Sequence, residues 1–589
     1  MPDSEAHYKK INQIISDYDK EIKNQNPSEE QLNSWRSTKS KLQRNIQEII
    51  ASNQAPYASK KISLPVILIA TPEIVYLPAN MGSLANVITT GDGGGLADIS
   101  AALVAELDRQ GVNVHVTLPE YQNLFKELAH ITNREYHLLR GSMSDEGRIY
   151  PITDDIFKIA QRVYDDGSSY LDKINLRRAT AFMRGIISRL LPELKARYKR
   201  VLVHCNDWMT GLVPAAATNM NIKSLITFHN IFTMHQQPSG LRKHSIDIRP
   251  YYKHLIFDEH PGSSFRFYKS MVKANEYIDF MTSGLYAADF INTVSLTFLK
   301  EMVAGYFTEH NIMSEYMRDT IVRRNGEQCA TGILNAPASA MDPRKDQHLV
   351  KRYWYKTDGA DGILDLQNGK ELNKIAFQQR LGLPVIPDAP ILFWPSRIAT
   401  PQKGFELLLE IIPDLMKTYH KEKLQIAIVA NGDAELIAKI KIYQEQYPNS
   451  ICYMPFNREL SQLGMGGSDF VLMPSLYEPC GTPQVVGQLY GTPPIVRKTG
   501  GLADTVKHLS ENGIDGSGFV FEDFLPSGLL FAVSEAMKFY KKPLDFRLGV
   551  LKRMMKECTV KFNIRETAKH YIEVYEEIFA RNGHPVKVK

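Results

Sequence analysis

The sequence predicts an α/β fold in which two doubly wound parallel-sheet domains face each other, preceded by a helical extension. Short runs rich in Val, Ile and Leu alternate with amphipathic stretches from residue 62 onward, a pattern typical of parallel strands that helices cover on both faces. The runs form two sets, which a stretch at 341–385 separates. Residues 1–61 differ, because their apolar side chains recur at helical spacing.

This pattern divides the 589 residues into five segments. They are a helical extension at 1–61, a first sheet domain at 62–345, a linker region at 346–385, a second sheet domain at 386–560 and a C-terminal helix at 561–589. The linker region contains the sequence DGADG at 358–362, which predicts a surface loop.

The N-terminal extension predicts a helical hairpin with one apolar face. A first apolar series runs from Tyr8 to Ile22, and Ser28 with Gln31 forms a capping box at the start of a second series. Lys39 interrupts the second series at one apolar position. The hairpin either packs on the main body or joins copies of the chain into a homo-oligomer.

The apolar runs are the strand candidates. The first set contains Leu64–Ala70, Val112–Leu118, Val201–His204, Ser224–Phe228 and Phe290–Val294, and the second contains Ile391–Trp394, Leu424–Val429, Ile451–Tyr453, Phe470–Met473, Pro494–Arg497 and Gly518–Phe521. Open parallel sheets bind ligands outside the carboxyl ends of their strands. We therefore expect the active site between two facing sets of strand-end loops.

The composition argues against several classes of protein. The hydrophobic fraction of 43% and the charged fraction of 23% are ordinary for a folded chain. No run of about 20 apolar residues predicts a membrane helix, and the N-terminal sequence MPDSEAHYKK lacks the pattern of a secretory signal, so a cytoplasmic protein is expected. A net charge of +5 is too small to indicate nucleic acid, and five scattered cysteines favour a reducing compartment.

The first of four loops that indicate chemistry is GDGGGLAD at 91–98. It contains Asp92, Gly94 and Gly95 and precedes a predicted helix. Glycines let a ligand approach the backbone closely, and a helix N-terminus favours an anion. A tight connection from strand to helix would use the same residues. The loop lacks the G-x-x-x-x-G-K-[ST] pattern, which argues against a P-loop nucleotidase.

The second loop places two cations beyond the strand candidate Ile391–Trp394. Arg397 and Lys403 lie six residues apart, and two cations at a strand end would suit a diphosphate. Either residue, taken alone, is equally well explained as a solvated surface cation.

The third loop, PSLYEPCGTPQ at 474–484, follows another predicted strand. Glu478 is placed to accept hydrogen bonds from a pair of sugar hydroxyl groups. The backbone N–H groups of Cys480, Gly481 and Thr482 would open the next helix and point at a phosphate. The Cys480 thiol is either a nucleophile or a small packed side chain close to the ligand.

The fourth site combines HCNDW at 204–208 with TFHN at 227–230, which follow successive strands. His204, Asp207 and His229 could hold a metal by residue type, but their spacing matches no H-E-x-x-H pattern. A single histidine at a strand end is also explained by a structural role. We therefore expect neither a metal nor a bound cofactor.

In this order and spacing, the four loops resemble those of the bacterial glycogen synthases and plant starch synthases. The resemblance covers about residues 62–580 and includes the segments GGLADISAALVAEL, VLVHCNDWMTGLVPAA, ITFHNIF, SRIATPQKGFELL and SDFVLMPSLYEPCGTPQVVGQLYGTPPIVRKTGGLADTV. The last of these segments is long and specific.

The resemblance implies the GT-B architecture, in which two Rossmann-like domains face each other across a cleft. The first domain would take the acceptor, the second would bind the donor nucleotide, and the C-terminal helix would cross back to the first. The implied reaction moves glucose from ADP-glucose or UDP-glucose to the non-reducing end of an α-1,4-glucan. It retains the anomeric configuration and needs no metal.

The resemblance also implies the residues of the donor site. Arg397 and Lys403 match the pair that neutralises the donor diphosphate, and Glu478 matches the acidic residue that holds the donor sugar. The loop at 480–482 matches the one whose backbone contacts sugar and phosphate. The base that the donor carries cannot be read from the sequence, which offers Tyr453 and Phe456 together with Tyr477 as stacking candidates.

His229 matches the catalytic histidine near the sugar, and Asp207 matches the aspartate of the acceptor region. Gly94 and Gly95 match the glycine loop that binds the donor. That loop departs from the family pattern K-[TV]-G-G-L-G-D, because Asp92 stands where the lysine should be. An aspartate there resembles the D-T-G-G-Q loop of sucrose synthases, which act on small acceptors. Asp92 would then bind acceptor hydroxyl groups, or it only caps the helix.

Three alternatives therefore stay open at this point. The first is a glucan-extending glucosyltransferase, the second is a retaining transferase with a small sugar or polyol acceptor, and the third is a weakly active glucan-binding homologue. Cations and helix N-termini that stabilise a leaving diphosphate favour front-side displacement. A covalent glycosyl intermediate on Glu478 is the other route.

Overall fold

A computed structural model describes residues 61–86, 95–141, 147–164, 169–258, 260–338, 340–355 and 362–581. In the N-terminal segment it describes Gln13, Ile15, Ser16, Asp19, Lys20, Glu29, Leu32, Asn33, Trp35, Arg36, Lys39 and Ser40. Asp92, Gly94 and the predicted loop at 358–361 lie outside the described residues.

The strands of the first half of the chain form a large parallel sheet and a small antiparallel one. They are β1 (Val66–Ala70), β2 (Val114–Pro119), β3 (Ile149–Ile152), β4 (Val201–Asn206), β5 (Lys223–Phe228), β6 (His235–Gln236), β7 (Ile256–Phe257), β8 (His260–Pro261), β9 (Ile278–Asp279), β10 (Phe290–Thr293) and β11 (Ala330–Gly332). The large sheet runs β11-β10-β5-β4-β1-β2-β3, and β1 pairs in parallel with both β2 and β4. The small sheet runs β6-β9-β7-β8 with antiparallel pairing.

The second half of the chain forms another parallel sheet. Its strands are β12 (Ile391–Trp394), β13 (Gln425–Val429), β14 (Ile451–Met454), β15 (Phe470–Met473), β16 (Pro494–Arg497) and β17 (Phe519–Phe521). Their order is β14-β13-β12-β15-β16-β17, and every recorded pairing between them is parallel.

Helices connect the strands of both large sheets. Those up to β11 are α1 (Gly95–Arg109), α2 (Gln122–Ala129), α3 (Asn133–Gly141), α4 (Asp155–Lys158), α5 (Ser169–Gly185), α6 (Leu191–Arg197), α7 (Val213–Asn219), α8 (Pro238–Lys243), α9 (Phe265–Ala274), α10 (Phe280–Ala287), α11 (Leu296–Ala304), α12 (Tyr306–Glu309) and α13 (Glu315–Gly326). Those beyond β11 are α14 (Gly362–Leu381), α15 (Phe405–Thr418), α16 (Ala434–Gln446), α17 (Arg458–Gly467), α18 (Pro483–Leu489), α19 (Gly500–Thr505), α20 (Pro526–Tyr540), α21 (Leu544–Lys561) and α22 (Ile564–Ala580). Among the helices described, none combines the length and the apolar character that crossing a membrane requires.

Alternate side chains of β12 show how the second sheet is covered. Leu392 and Trp394 pack in one buried cluster with side chains of α15 and α20. Ile391 and Phe393 point the other way, into a second cluster that includes side chains of α14 and α17. Because successive side chains of a strand face opposite sides of the sheet, both faces are buried. The predicted doubly wound α/β class is thereby confirmed.

Most of the predicted strands differ from the observed ones by one or two residues at one end or at both. Leu64, predicted to open the first strand, is 43% exposed and precedes β1 by two residues, and Pro65 next to it has no N–H for a sheet ladder. The apolar runs of the sequence do not predict β3 and β11, which are the edge strands of the large first sheet. Pro151 within β3 is tolerated because an edge strand needs fewer ladder hydrogen bonds.

In each large sheet there is one point at which the order of the strands reverses. In the first sheet β1 lies between β2 and β4, and in the second β12 lies between β13 and β15. The loops that follow the two central strands at such a point diverge to opposite faces and leave a crevice for a ligand. A ligand site is therefore expected at the carboxyl ends of β1 and β4, and another at those of β12 and β15.

The chain divides into two compact units. The first comprises Met1–Asn292, Ser314–Ala330 and Tyr571–Lys589, and the second comprises Thr293–Met313 and Thr331–His570. Within the first unit, the end of α22 packs on the sheet, where the Tyr571 hydroxyl accepts a hydrogen bond from the Asn292 amide at 3.0 Å.

The described positions of the N-terminal extension are helical. Ile15 and Trp35 are buried, and the Trp35 indole N–H donates to a carboxylate oxygen of Asp19 at 2.7 Å. Lys39, which breaks the apolar series, pairs with the same carboxylate. These contacts join the two predicted helices of the hairpin. Self-association through residues 1–61 stays a prediction.

Candidate active site

In the second unit, the loops after β12 and β15 lie against each other. The Leu476 N–H donates to the Gln402 carbonyl at 2.9 Å. Gly404 has a φ of 68°, and a Cβ atom there would lie 2.2 Å from the Pro474 carbonyl oxygen. A side chain at position 404 would therefore separate the two loops. This close approach explains why position 404 is a glycine.

The closest contact between functional side chains of these loops joins Lys403 and Glu478. The Lys403 ammonium nitrogen lies 2.7 Å from Oε2 of Glu478, and the Ser475 hydroxyl donates to the same oxygen at 3.0 Å. The two charged side chains are only 13% and 7% exposed. The pair is thus a shielded, hydrogen-bonded ion pair at the crevice of the second sheet.

Arg397 acts on the same loop through its charge. Its side chain is exposed. Burial and the Glu478 carboxylate raise the pKa of Tyr477, and the Arg397 guanidinium opposes this shift. Arg397 therefore lies in the electrostatic neighbourhood of Tyr477 and of the Glu478 carboxylate, which come much later in the chain.

The Cys480 thiol is buried, and its sulfur lies 4.0 Å from the Asn335 carbonyl oxygen. Burial raises its pKa to about 12, so the thiol stays protonated near neutral pH. A protonated thiol is a poor nucleophile. The structure therefore favours the packed role over the nucleophilic one. Gly481 and Thr482 follow it directly and lead into α18.

The backbone of α19 is hydrogen-bonded to the backbone of the Glu478 loop. The Gly501 N–H donates to the Glu478 carbonyl at 2.9 Å. A Cβ atom at Gly501 would lie 2.0 Å from the Cys480 carbonyl oxygen. A larger residue at position 501 would push the Glu478 loop out of place, which explains the glycines of the TGGLADTV segment.

Arg497, the last residue of β16, is a supporting residue that the sequence analysis missed. Its guanidinium is buried and donates to the Ser475 carbonyl at 3.0 Å, to the Leu476 carbonyl and to the Glu522 carbonyl at 3.0 Å. Three carbonyl oxygens from two loops are thereby held by one planar cation. The signal in the sequence is an arginine at the end of an otherwise apolar run.

Two helices of the second unit cap each other beneath this loop. Asp504 of α19 accepts from the Thr297 N–H at 3.0 Å and from the Ser295 hydroxyl at 2.8 Å, at the start of α11. Glu301 of α11 accepts from the Gly500 N–H at 3.1 Å, at the start of α19. Carboxylates stabilise helix N-termini. These reciprocal capping contacts fix the position of α19, and α19 in turn hydrogen-bonds the Glu478 backbone.

In the first unit, Asp207 follows β4 and has an unusual backbone. Its φ is 55° and its ψ is −178°, a region that residues other than glycine adopt at a cost. Its carboxylate accepts from the His229 N–H at 2.7 Å. Burial raises its pKa to about 7, and the backbone N–H groups of His229 and Asn230 oppose the shift. The structure therefore brings Asp207 and His229 together, as the sequence analysis expected from successive strand ends.

The His229 ring is held in one tautomer. Its Nε2 lies 3.1 Å from Oδ1 of Asn206, whose amide nitrogen donates to the Ala70 carbonyl at 3.2 Å. The Asn206 oxygen must therefore accept, and Nε2 of His229 carries the hydrogen. Burial lowers the pKa of His229 to about 4, so the ring is neutral near pH 7. The sequence analysis did not assign this positioning role to Asn206.

His204 has a structural role. Its Nδ1 lies 2.8 Å from the Tyr575 hydroxyl and its Nε2 lies 2.8 Å from the Thr227 hydroxyl. Burial lowers its pKa to about 3. Both ring nitrogens are engaged, so His204 does not join Asp207 and His229 as a ligand. Within the described ranges, no group of three His, Cys, Asp or Glu side chains is arranged to hold a metal ion.

Glu73 is a further acidic residue that the sequence analysis missed. It lies just after β1, it is only 2% exposed, and its side chain hydrogen-bonds Tyr164. The crevice of the first sheet therefore carries two carboxyl side chains, Glu73 after β1 and Asp207 after β4. Of the glycine loop, Gly95 is the first residue of α1 and is exposed.

Comparison with known proteins identifies the class of enzyme. The profile described as Starch synthase catalytic domain matches residues 66–315, and the profile described as Glycosyl transferases group 1 matches residues 384–547. The Glycogen synthase of Geobacillus thermodenitrificans (strain NG80-2) is 29% identical over 517 residues, which cover 83% of this chain and 96% of that protein. The chain is a glycosyltransferase similar to the glycogen and starch synthases.

A further relative and a solved structure support the same assignment. The Glycogen synthase of Clostridioides difficile (strain 630) is 29% identical over 507 residues, covering 82% of this chain and 96% of that protein. The catalytic domain of Starch Synthase IV from Arabidopsis thaliana, bound to ADP and acarbose, superposes with a TM-score of 0.65 at 21% identity. The match covers 88% of this chain and 100% of that domain, and it confirms the GT-B fold class. The predicted enzyme class, glycosyltransferase, is likewise confirmed.

Proposed function

We propose that this glycosyltransferase moves glucose from a nucleotide-glucose donor to the non-reducing end of an α-1,4-glucan, with retention of configuration and without a metal. The observation that supports it most strongly is the shielded Lys403–Glu478 pair at the crevice of the second sheet. The curated relatives named above are glycogen synthases, which points to the same substrates.

The second unit would bind the donor. Glu478 would accept hydrogen bonds from sugar hydroxyl groups through the carboxylate that Lys403 and Ser475 orient by their contacts to Oε2. Arg397 and Lys403 would neutralise the diphosphate. As the bond to the anomeric carbon breaks, negative charge grows on the diphosphate, and cations fixed in advance stabilise that charge. The shielded position of Lys403 strengthens its interaction relative to an exposed lysine.

Phe456 is the side chain best placed to stack on the nucleobase. It follows β14, its ring is 53% exposed, and its N–H donates to the Asn431 side chain at 3.0 Å. The other two candidates are committed elsewhere. Tyr453 is buried in the core, and the Tyr477 ring packs edge-on against Phe307 at 5.7 Å. Stacking alone accepts adenine and uracil, so ADP-glucose and UDP-glucose are both candidate donors.

The first unit would bind the acceptor. The neutral His229 ring and the Asp207 carboxyl group both offer hydrogen-bonding atoms to sugar hydroxyl groups. The strained backbone at Asp207 supports a functional role, because strain of this kind persists where the surroundings impose it.

Front-side displacement accounts for retention with these residues. The bond between the anomeric carbon and the diphosphate oxygen breaks, and its electrons go to the diphosphate. The acceptor hydroxyl bonds to the anomeric carbon on the same face, and its proton passes to the departing phosphate oxygen. Glu478 would act as a binding group in this scheme, since its carboxylate is already paired with Lys403. Trapping a sugar on Glu478 would refute it.

A donor and acceptor screen tests the proposal. ADP-glucose and UDP-glucose are each incubated with glycogen, malto-oligosaccharides, simple sugars, polyols and sugar phosphates, and nucleotide release and product linkage are measured. New α-1,4 bonds on the glucans, with the α configuration seen by proton NMR, are expected. Transfer only to a small acceptor would show that the enzyme is a transferase for small sugars or polyols. No transfer with any donor and acceptor would favour a glucan-binding homologue.

A further inference from the structure

An exposed aromatic ring stands among the acceptor-side loops of the first unit. The Phe232 side chain is 54% exposed. Its ring meets the Trp208 ring edge to face, with the centroids 6.0 Å apart and the planes at 68°. Trp208 directly follows Asp207, and Phe232 lies three residues beyond His229. The two aromatic residues thus extend from the carboxyl ends of adjacent parallel strands, β4 and β5.

The turn that carries Phe232 is held on both sides. Asp207 accepts the His229 N–H at 2.7 Å, and the Thr233 hydroxyl donates to Asp279 at 2.6 Å. Ile231 between these anchors is buried. Because its neighbours are fastened, the backbone of Phe232 is fixed, and its ring is directed outward at the cost of leaving apolar surface in water.

We propose that Phe232, backed by Trp208, is a stacking platform for a glucose unit of the acceptor chain. One face of a pyranose ring presents C–H groups, which pack on an aromatic face and displace water from both surfaces. The rim hydroxyl groups of the same sugar would reach toward Asp207 and His229. This inference rests on the proposed function and adds a residue through which the first unit selects that acceptor.

The same surroundings disfavour an anionic acceptor. A phenyl ring supplies no positive charge, and the nearby strand ends of β1 and β4 carry the carboxyl side chains of Glu73 and Asp207. A phosphate group brought close to these carboxyl groups would meet repulsion when they are ionised. Neutral malto-oligosaccharides and glycogen should therefore be preferred to sugar phosphates.

The test compares Phe232→Ala, Phe232→Trp and Tyr277→Ala with the parent enzyme. Tyr277 is 51% exposed in the same unit and serves as the matched surface control. KM values are measured for maltohexaose, glycogen and the donor, and Tm is recorded for each protein. Phe232→Ala should raise the acceptor KM by about tenfold and leave the donor KM within about twofold. Phe232→Trp should keep acceptor binding, because the indole offers an equal or larger face.

Several outcomes would overturn the inference. They are an unchanged acceptor KM in Phe232→Ala, an equal rise in Tyr277→Ala, and a lower KM for glucose 6-phosphate than for maltose in the parent enzyme. If the parent enzyme extends glucans and Phe232→Ala does so equally well, only the stacking platform fails. If the parent enzyme transfers no glucose to any glucan, the proposed function itself fails. A lowered Tm without a change in KM also counts against the platform.

Discussion

The Lys403 ammonium nitrogen and Oε2 of the Glu478 carboxylate lie 2.7 Å apart, although 75 residues separate them in the chain. Both side chains are largely shielded from water. Removing one partner of such a pair leaves the other as an uncompensated charge in a poorly solvated place. The pair should therefore act as a unit, in binding the donor as well as in holding the two loops together.

Glu478→Gln and Lys403→Gln should each lower kcat by about 10²–10³-fold, since each removes a group that stabilises developing charge. The double variant should lose less than the product of the two single losses, because both changes break the same contact. Rates are measured with saturating donor and glycogen. Lys538→Ala, which breaks an exposed pair with Glu535, is the control and should be neutral. Strictly multiplicative losses would show that the two side chains act independently.

Arg497→Lys should lower both activity and stability. A lysine ammonium is a point charge and cannot span the carbonyl oxygens of Ser475, Leu476 and Glu522 as the planar guanidinium does. We expect kcat to fall by about tenfold, comparable to about 1.4 kcal/mol, with a lower Tm. Arg249→Lys, at an exposed pair with Asp247, is the control for an arginine change. Full activity in Arg497→Lys would mean that the Glu478 loop is held by other contacts.

Asp207→Asn should change the pH dependence of stability. In the folded chain the Asp207 pKa is raised from its ordinary value of 3.8 to about 7, so between these pH values the folded state keeps a proton that the unfolded state has lost. The stability that this provides is fully present below pH 3.8 and is lost as the pH rises through 7. At pH 8 the variant should therefore unfold at higher denaturant concentration than the parent, and the difference should shrink toward pH 4. Comparing the two proteins cancels the titration of His204 and His229.

The same substitution should weaken acceptor binding. An ionised carboxylate accepts hydroxyl hydrogen bonds more strongly than a protonated carboxyl group. The acceptor KM of the parent enzyme should thus fall as the pH rises through about 7, following the Asp207 titration. Asp207→Asn should have a higher acceptor KM with little dependence on pH. A parallel pH dependence in both proteins would assign the titration to another group.

Gly404→Ala should destabilise the second unit. The new Cβ atom would lie 2.2 Å from the Pro474 carbonyl, and the φ of 68° is unfavourable for alanine. We expect a loss of about 2 kcal/mol or more in unfolding free energy, together with reduced activity. Gly549→Ala is the control, because apart from its two neighbours and the backbone of its own helix no described atom lies within 4 Å of the new methyl group, and helix α21 favours alanine. That variant should be neutral or slightly more stable in urea unfolding.

Cys480→Ser should keep most of the activity. Burial raises the pKa of the thiol to about 12, so no thiolate is available to attack a sugar. A change in kcat of less than about tenfold is expected, since a catalytic nucleophile would cost far more. A loss of 10³-fold or more with an unchanged Tm would restore the nucleophilic role of this cysteine.

The sequence by itself determined the class of fold, the two sets of strands and the loops that carry Arg397, Lys403, Glu478, Asp207 and His229. Such features are local: apolar runs of strand length, the helices between them and polar residues at the strand ends all lie within short windows of the chain. The resemblance to glycogen and starch synthases rests on the same contiguous segments.

Only the tertiary structure decided which of those residues meet. Lys403 and Glu478 come together because β12 and β15 are neighbours in the sheet, although β13 and β14 lie between them in the chain. The supporting roles of Arg497 and Asn206, and the outward position of the Phe232 ring, depend on such long-range neighbours in the same way. Hydrogen bonds between distant residues leave no periodic trace in the sequence, so these contacts could be found only once the chain was folded.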